Sequence, residues 1–101
     1  MDKRPNLQTL LENLLGSKNV YFQPPASVRM RYPAIIYTRT AVDTVYANNL
    51  PYLNFIAYKI TLIDEDPENE TIKKLLALPN CQFETHYESD NLNHDVFKLY
   101  Y

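Results

Sequence analysis

The densest group of chemically capable side chains is a run of carboxylates at Asp64, Glu65, Asp66, Glu68 and Glu70. Oxygen ligands at this density can bind Mg²⁺ or Ca²⁺. The run lacks the glycine and the closing glutamate that an EF-hand loop needs at fixed spacing. The end of a strand, followed by an acidic first turn of a helix, explains the same residues. We therefore predict no metal site here.

A second group contains two histidines and two aspartates near the C-terminus, namely His86, Asp90, His94 and Asp95. Two imidazoles and a carboxylate could ligate a transition metal or exchange protons. The residues have no diagnostic spacing such as HExxH. Because a polar turn between two strands explains the composition equally well, we expect no metal or catalytic role.

The only cysteine, Cys81, could in principle act as a nucleophile with His86 as its base. Its place at the start of a predicted strand, after Pro79-Asn80, favours a packed structural thiol. One cysteine also excludes an internal disulfide and a multi-cysteine zinc site. Together these residues predict a protein that is not an enzyme and needs no cofactor.

A basic and aromatic stretch remains, made up of Arg29, Arg31 and Arg39 with Met30, Tyr32 and Tyr37 between them. It is typical of a nucleic-acid surface, of a subunit interface, or of scattered solvated charge. The net charge of −2 disfavours the first interpretation, because phosphate binding usually needs a basic excess.

The elements that must position these residues follow from periodicity. Leucines at 7, 10, 11, 14 and 15 predict an amphipathic first helix that ends at Gly16. Strands are predicted at 19–23, 34–40 and 52–64, with Ile56, Tyr58, Ile60 and Leu62 on the core face of the last. Asp66 and Pro67 predict the start of a second helix, with an apolar stripe of Ile72, Leu75 and Leu76 before Pro79. Strands at 81–88 and 95–101 flank a predicted turn at 89–94.

This order, α-β-β-β-α-β-β, predicts an α+β fold with helices packed on one small sheet, forming a single domain over residues 1–101. Residues 41–51 are predicted to connect two strands, with turn residues at Asn48-Asn49 and Pro51. A connection of this length is long for a hairpin. Its apolar content predicts that it docks on a partner, with Tyr46 and Leu50 as anchors and Tyr52 beside them.

The composition is that of a globular protein, with 46% apolar and 22% charged residues. No window is long and apolar enough for a membrane helix, and the N-terminus lacks the apolar core of a signal peptide. We expect synthesis in the cytoplasm and no membrane partner.

Five short strings lie along the chain and read NVYFQPP at 19–25, YPAIIY at 32–37, YKITLID at 58–64, DP at 66–67 and NLNHDVF at 91–97. Together with the order of elements, they resemble the small tail-terminator (tail-completion) proteins of tailed bacteriophages, including tail-to-head joining proteins, and the resemblance spans nearly the whole chain. The resemblance lies in element order and short strings, so no motif residues transfer one by one.

The resemblance implies a non-enzymatic virion protein of the phage neck or tail. Its subunits would form a ring, usually a hexamer, that caps the tail tube and stops polymerisation. The implied partners are the major tail tube protein and a head-completion or connector protein. Genomic DNA would pass through the ring without sequence-specific binding.

Ring closure joins different patches of successive subunits. We predict that Arg29 and Arg31 of one subunit meet the acidic segment beginning at Asp64 and Glu65 of the next. Two alternatives stay open, namely another neck ring protein (head completion or connector adaptor) and a small nucleic-acid-binding adaptor. A metal-dependent enzyme is the remaining, least favoured alternative.

Overall fold

The computed structural model describes residues 4–25, 27, 29–47 and 50–101, and for residue 4 and residues 41–47 and 50–55 it describes the backbone alone. The elements are α1 Arg4–Leu15, β1 Val20–Phe22, β2 Ala34–Ala47, β3 Leu50–Asp64, α2 Thr71–Leu76, β4 Cys81–Ser89 and β5 Leu92–Tyr100. They form one mixed sheet with the strand order β1-β2-β3-β5-β4. The predicted α+β class and the order of elements are confirmed.

The sheet is antiparallel except at its β1 edge. β1 runs parallel to β2, whereas β2, β3, β5 and β4 each run antiparallel to the next strand in the sheet. β3 and β4 are therefore parallel to each other, with β5 inserted between them. This topology places the last hairpin of the chain at the second edge of the sheet.

One face of the sheet, called the helix face below, carries the core. Pairing aligns Tyr37 with Ile60 and Ile60 with Phe97, and all three are fully buried. Leu7 and Leu11 of α1 and Leu75 of α2 join the same apolar cluster. The predicted leucine stripe of α1 and the predicted core face of β3 are therefore confirmed.

A polar contact fixes α1 on this core. The Tyr37 hydroxyl donates to Gln8 Oε1 (2.5 Å), and Gln8 Nε2 donates to the carbonyl of Val20 (2.9 Å). Because Tyr37 lies inside the core, its hydroxyl needs such a partner. Gln8 thus joins α1, β1 and β2, and α1 ends at Gly16 in the left-handed conformation (φ 77°) that its position predicted.

The prediction that residues 41–51 form a loop is wrong. β2 continues to Ala47 and β3 begins at Leu50, so the two strands form one long hairpin. The β-branched and aromatic residues Val42, Thr44, Val45 and Tyr46 favour strand over loop. The predicted turn residues Asn48 and Asn49 lie outside the described residues.

The second helix is shorter than predicted and begins at Thr71 rather than at Asp66. The Asp66 carboxylate accepts the backbone N–H of Glu68 (2.9 Å), and the Asn69 side-chain oxygen accepts that of Thr71 (2.8 Å). Such local side-chain bonds compete with helix formation. Leu76, predicted in the apolar stripe, is 47% exposed.

The C-terminal turn is also shorter than predicted. Ser89 pairs with Leu92, leaving a two-residue turn at Asp90 and Asn91, both with positive φ (53° and 63°). Asparagine and aspartate adopt this conformation at low cost, which suits a tight hairpin turn. His94 and Asn93 therefore lie in β5 rather than in the turn.

Candidate functional site

The hairpin of β2 and β3 extends beyond the five-stranded part of the sheet. β1 pairs with β2 only as far as Tyr37, and β5 pairs with β3 only from Ala57. In the described part of the chain, residues 41–47 and 50–56, called the ribbon below, pair with each other, and the one backbone bond from outside is that of the Tyr101 N–H to the Ile56 carbonyl (3.0 Å). The molecule is correspondingly long, at 50 × 25 × 22 Å.

The ribbon has an unusual composition for a solvated hairpin. Its one charged residue is Asp43, and its apolar residues are Ala41, Val42, Val45, Tyr46, Ala47, Leu50, Tyr52, Leu53, Phe55 and Ile56. A two-stranded hairpin is marginally stable in water by itself. The ribbon is therefore the first candidate for an interaction surface.

Three predicted interface residues lie in this ribbon. Tyr46 pairs with Pro51 and Leu50 with Ala47, and Tyr52 falls at a register shift between two pairs. The side chains of all three lie outside the described residues, so their role as anchors stays a prediction.

The outer edge of β4 is the second open feature, and sequence reasoning missed it. β4 pairs with β5 alone among the described strands, and Gln82–Ser89 are exposed. Two of its side chains are large and apolar, namely Phe83 (47% exposed) and Tyr87 (46%). Phe83 meets Phe97 edge-on at 5.5 Å, and Tyr87 stacks on His94 at 4.6 Å. An exposed sheet edge of this kind can accept another strand through main-chain hydrogen bonds.

The acidic segment is held by its own backbone and amide groups. Asp64 Oδ1 accepts the Glu65 N–H (2.8 Å), Asp64 Oδ2 accepts Asn69 Nδ2 (2.7 Å), and Asn93 Nδ2 donates to the Glu65 carbonyl (3.0 Å). Glu68 is exposed. In the described part of the chain, none of these carboxylates forms an ion pair with a lysine or arginine.

The basic stretch is separated by the fold. Arg29, Arg31 and Arg39 are exposed and Tyr32 is 41% exposed, whereas Tyr37 belongs to the core. A basic and aromatic surface, one interpretation of this stretch, therefore excludes Tyr37, whereas the three arginines and Tyr32 remain available on the surface. Arg31 lies just before Ala34, which pairs with Ile63, so Arg31 and Asp64 stand at the same end of the sheet.

The two histidines lie on opposite faces of the sheet. His86 is paired with Asp95 and Tyr87 with His94, and successive residues of a strand alternate between faces. A shared metal is therefore excluded for this pair. Within the described ranges, no group of three His, Cys, Asp or Glu residues is arranged to hold a metal ion.

His86 instead holds a buried carboxylate. Its Nδ1 lies 2.7 Å from Asp95 Oδ1, and Asp95 is only 5% exposed. Because an ionised carboxylate only accepts hydrogen bonds, Nδ1 carries the proton of this bond. The pair explains why two polar residues stand on the helix face at the end of the core.

Cys81 is not activated by His86. Five residues of one strand separate them, which is about 16 Å. Burial raises the pKa of the Cys81 thiol above its ordinary value, which lowers the fraction of reactive thiolate. The thiol packs on the core cluster as a structural group.

Comparison of the chain with protein-family models, curated proteins and solved structures found no match. Neither described helix has the length and apolar character needed to span a bilayer.

Proposed function

We propose that this protein is a structural ring subunit of a bacteriophage virion, a tail terminator that caps the tail tube and joins it to the head or connector. The observation that carries the proposal is the apolar ribbon of residues 41–56. It extends from a folded sheet and lacks a third strand among the described residues. Burial against another chain removes apolar area from water at about 25 cal/mol per Å².

The open β4 edge supports the same function. A subunit that closes a ring needs two different surfaces, one to receive and one to insert. The ribbon and the β4 edge are two such surfaces in one chain. Sequence resemblance to tail-terminator proteins supplies the particular assembly, with a tail tube protein and a head-completion protein as partners.

The direct test is assembly. We expect purified protein to form rings of uniform size, seen by negative-stain microscopy and native mass spectrometry, alone or on purified tail tubes. Tubes polymerised with the protein should stop at a capped end, whereas tubes with an unrelated protein of equal size should keep growing. A chain that stays monomeric with tubes and leaves their growth unchanged would contradict the proposal.

A matched variant links this result to the ribbon. Replacing both Tyr46 and Leu50 by serine removes apolar area at the ribbon and leaves the residues of the core cluster unchanged. We expect loss of rings with retained monomer folding, measured by circular dichroism. The control pair, Tyr32 and Leu76 to serine, changes exposed residues outside the ribbon and should still assemble.

A further inference from the structure

The open outer edge of β2 and the open outer edge of β4 face in opposite directions within the plane of the sheet. The strand order β1-β2-β3-β5-β4 puts β4 at one edge, and β2 is uncovered beyond Tyr37 on the β1 side. The Gln23 side chain accepts the N–H of Arg39 (3.3 Å), and no described strand follows along residues 40–47. Two edges that face apart suit a head-to-tail contact between copies.

The directions of the two strands also match. β2, β3, β5 and β4 alternate in direction, so β4 runs antiparallel to β2. If a second copy continues the sheet in the same orientation, its β2 lies antiparallel to β4 of the first. Antiparallel addition of this kind satisfies main-chain groups on both strands.

One charged residue on each edge indicates the register in which β2 of one copy would pair with β4 of the other. Arg39 pairs with Tyr58 and so lies on the helix face, and Glu88 lies on the same face because it pairs with Asn93, two residues before Asp95. Both side chains are exposed. Directly opposite residues share a face, so setting Arg39 opposite Glu88 places the helix faces of both copies on one side at this pair. Each strand has a register shift beyond it, between Arg39 and Ala41 in β2 and between Phe83 and Thr85 in β4.

We propose that the outer edge of β2 in one copy, from Thr40 upward along the ribbon, adds as an antiparallel strand to β4 of the next copy, with the Arg39 side chain beside Glu88. This inference rests on the proposed ring and names its subunit contact. The occupant of the β4 edge is a second copy of this chain. The ribbon then gains the neighbouring strand that its own sheet does not provide.

Charge reversal tests the register. We expect Arg39→Glu and Glu88→Arg each to weaken self-association about tenfold, measured by native mass spectrometry across a dilution series. The double variant, which exchanges the two charges, should recover most of the loss. Lys73→Glu makes the same charge change on α2 and should assemble like the unmodified chain. A double variant no better than either single one would overturn the register.

Cross-linking tests the contact itself. In a Cys81→Ser chain we would add Arg39→Cys and Glu88→Cys together. Within one chain these positions stand three strands apart, about 14 Å or more, so a disulfide must join two chains. We expect a reducible ladder that ends at one size, whereas a chain with either cysteine alone lacks the partner thiol of this contact and should form no ladder. Failure to form the ladder, or a bond to the tube protein instead, would overturn the proposal.

The proposed subunit contact and the proposed terminator function can be contradicted independently of each other. Rings and capped tubes from the unmodified chain, combined with unaffected charge variants and no ladder, would overturn this contact and leave the terminator function intact. A ladder without any effect on tube growth would support the contact and overturn the terminator function.

Discussion

At the scale of single residues, the His86–Asp95 pair is the most sensitive polar contact on the helix face. Asp95 is nearly buried, and its carboxylate is hydrogen-bonded to His86. His86→Ala leaves this carboxylate without that donor, so we expect the free energy of unfolding to fall by about 1–3 kcal/mol. Urea denaturation at neutral pH measures it.

His94→Ala is the matched control for this prediction. His94 is bonded to the backbone carbonyl of Leu92 and stacks on exposed Tyr87, so no buried charge loses its partner. We expect its effect to be clearly smaller. Equal losses for the two histidines would show that Asp95 does not depend on His86.

Cys81 gives a second prediction at this scale. Its pKa is raised by burial, so at neutral pH less of it is thiolate, and the thiolate is the reactive form. We expect iodoacetamide to modify Cys81 more slowly than the single exposed cysteine of a Cys81→Ser, Ser89→Cys chain. The ratio of the two modification rates should approach one as the pH rises above the ordinary thiol pKa. Equal rates at neutral pH would contradict the burial of this thiol.

At the scale of elements, α1 depends on Gly16 for its end. Gly16 has φ 77°, and a Cβ at this position would meet no atom within 4 Å. Gly16→Ala therefore destabilises the protein through its backbone conformation rather than through steric crowding. We expect the free energy of unfolding, measured by thermal unfolding, to fall by about 1 kcal/mol. Gly16→Asn should lower the free energy of unfolding by less, because asparagine tolerates the left-handed region. A larger loss with asparagine would contradict this cause.

The elements also show what the sequence could predict. Leucine spacing was sufficient to predict α1, and the alternation of residues was sufficient to predict the core face of β3. Both patterns succeed because each element buries one continuous face in the core. The start of α2 depended on Asp66 and Asn69 bonding to nearby backbone, which residue type alone does not reveal. In residues 41–51, strand-forming side chains lie on either side of Asn48-Asn49. This asparagine pair was the feature of the sequence that could have indicated a hairpin.

At the scale of the whole molecule, candidate surfaces were harder to predict than the core. The faces of His86 and His94 depend on a turn of two residues, and a change of one residue in register would reverse them. The open β4 edge depends on strand order, which pairs β5 rather than β4 with β3. Periodicity reports which face of a strand is buried, but it carries no information about which strand lies at an edge.

The ribbon gives the last prediction, because it divides the chain into a supported sheet and an extension held by two strands. In a monomer, obtained by diluting the Arg39→Glu chain below its association range, we expect amides at 41–47 and 50–56 to exchange hydrogen at least about tenfold faster than those of residues 57–64. In the assembled protein the same amides should become protected, since a neighbouring chain then covers them. Hydrogen–deuterium exchange measured by mass spectrometry separates the two segments. Equal protection of ribbon and sheet in the monomer would show that the ribbon is stable by itself, and the main reason for proposing assembly would be lost.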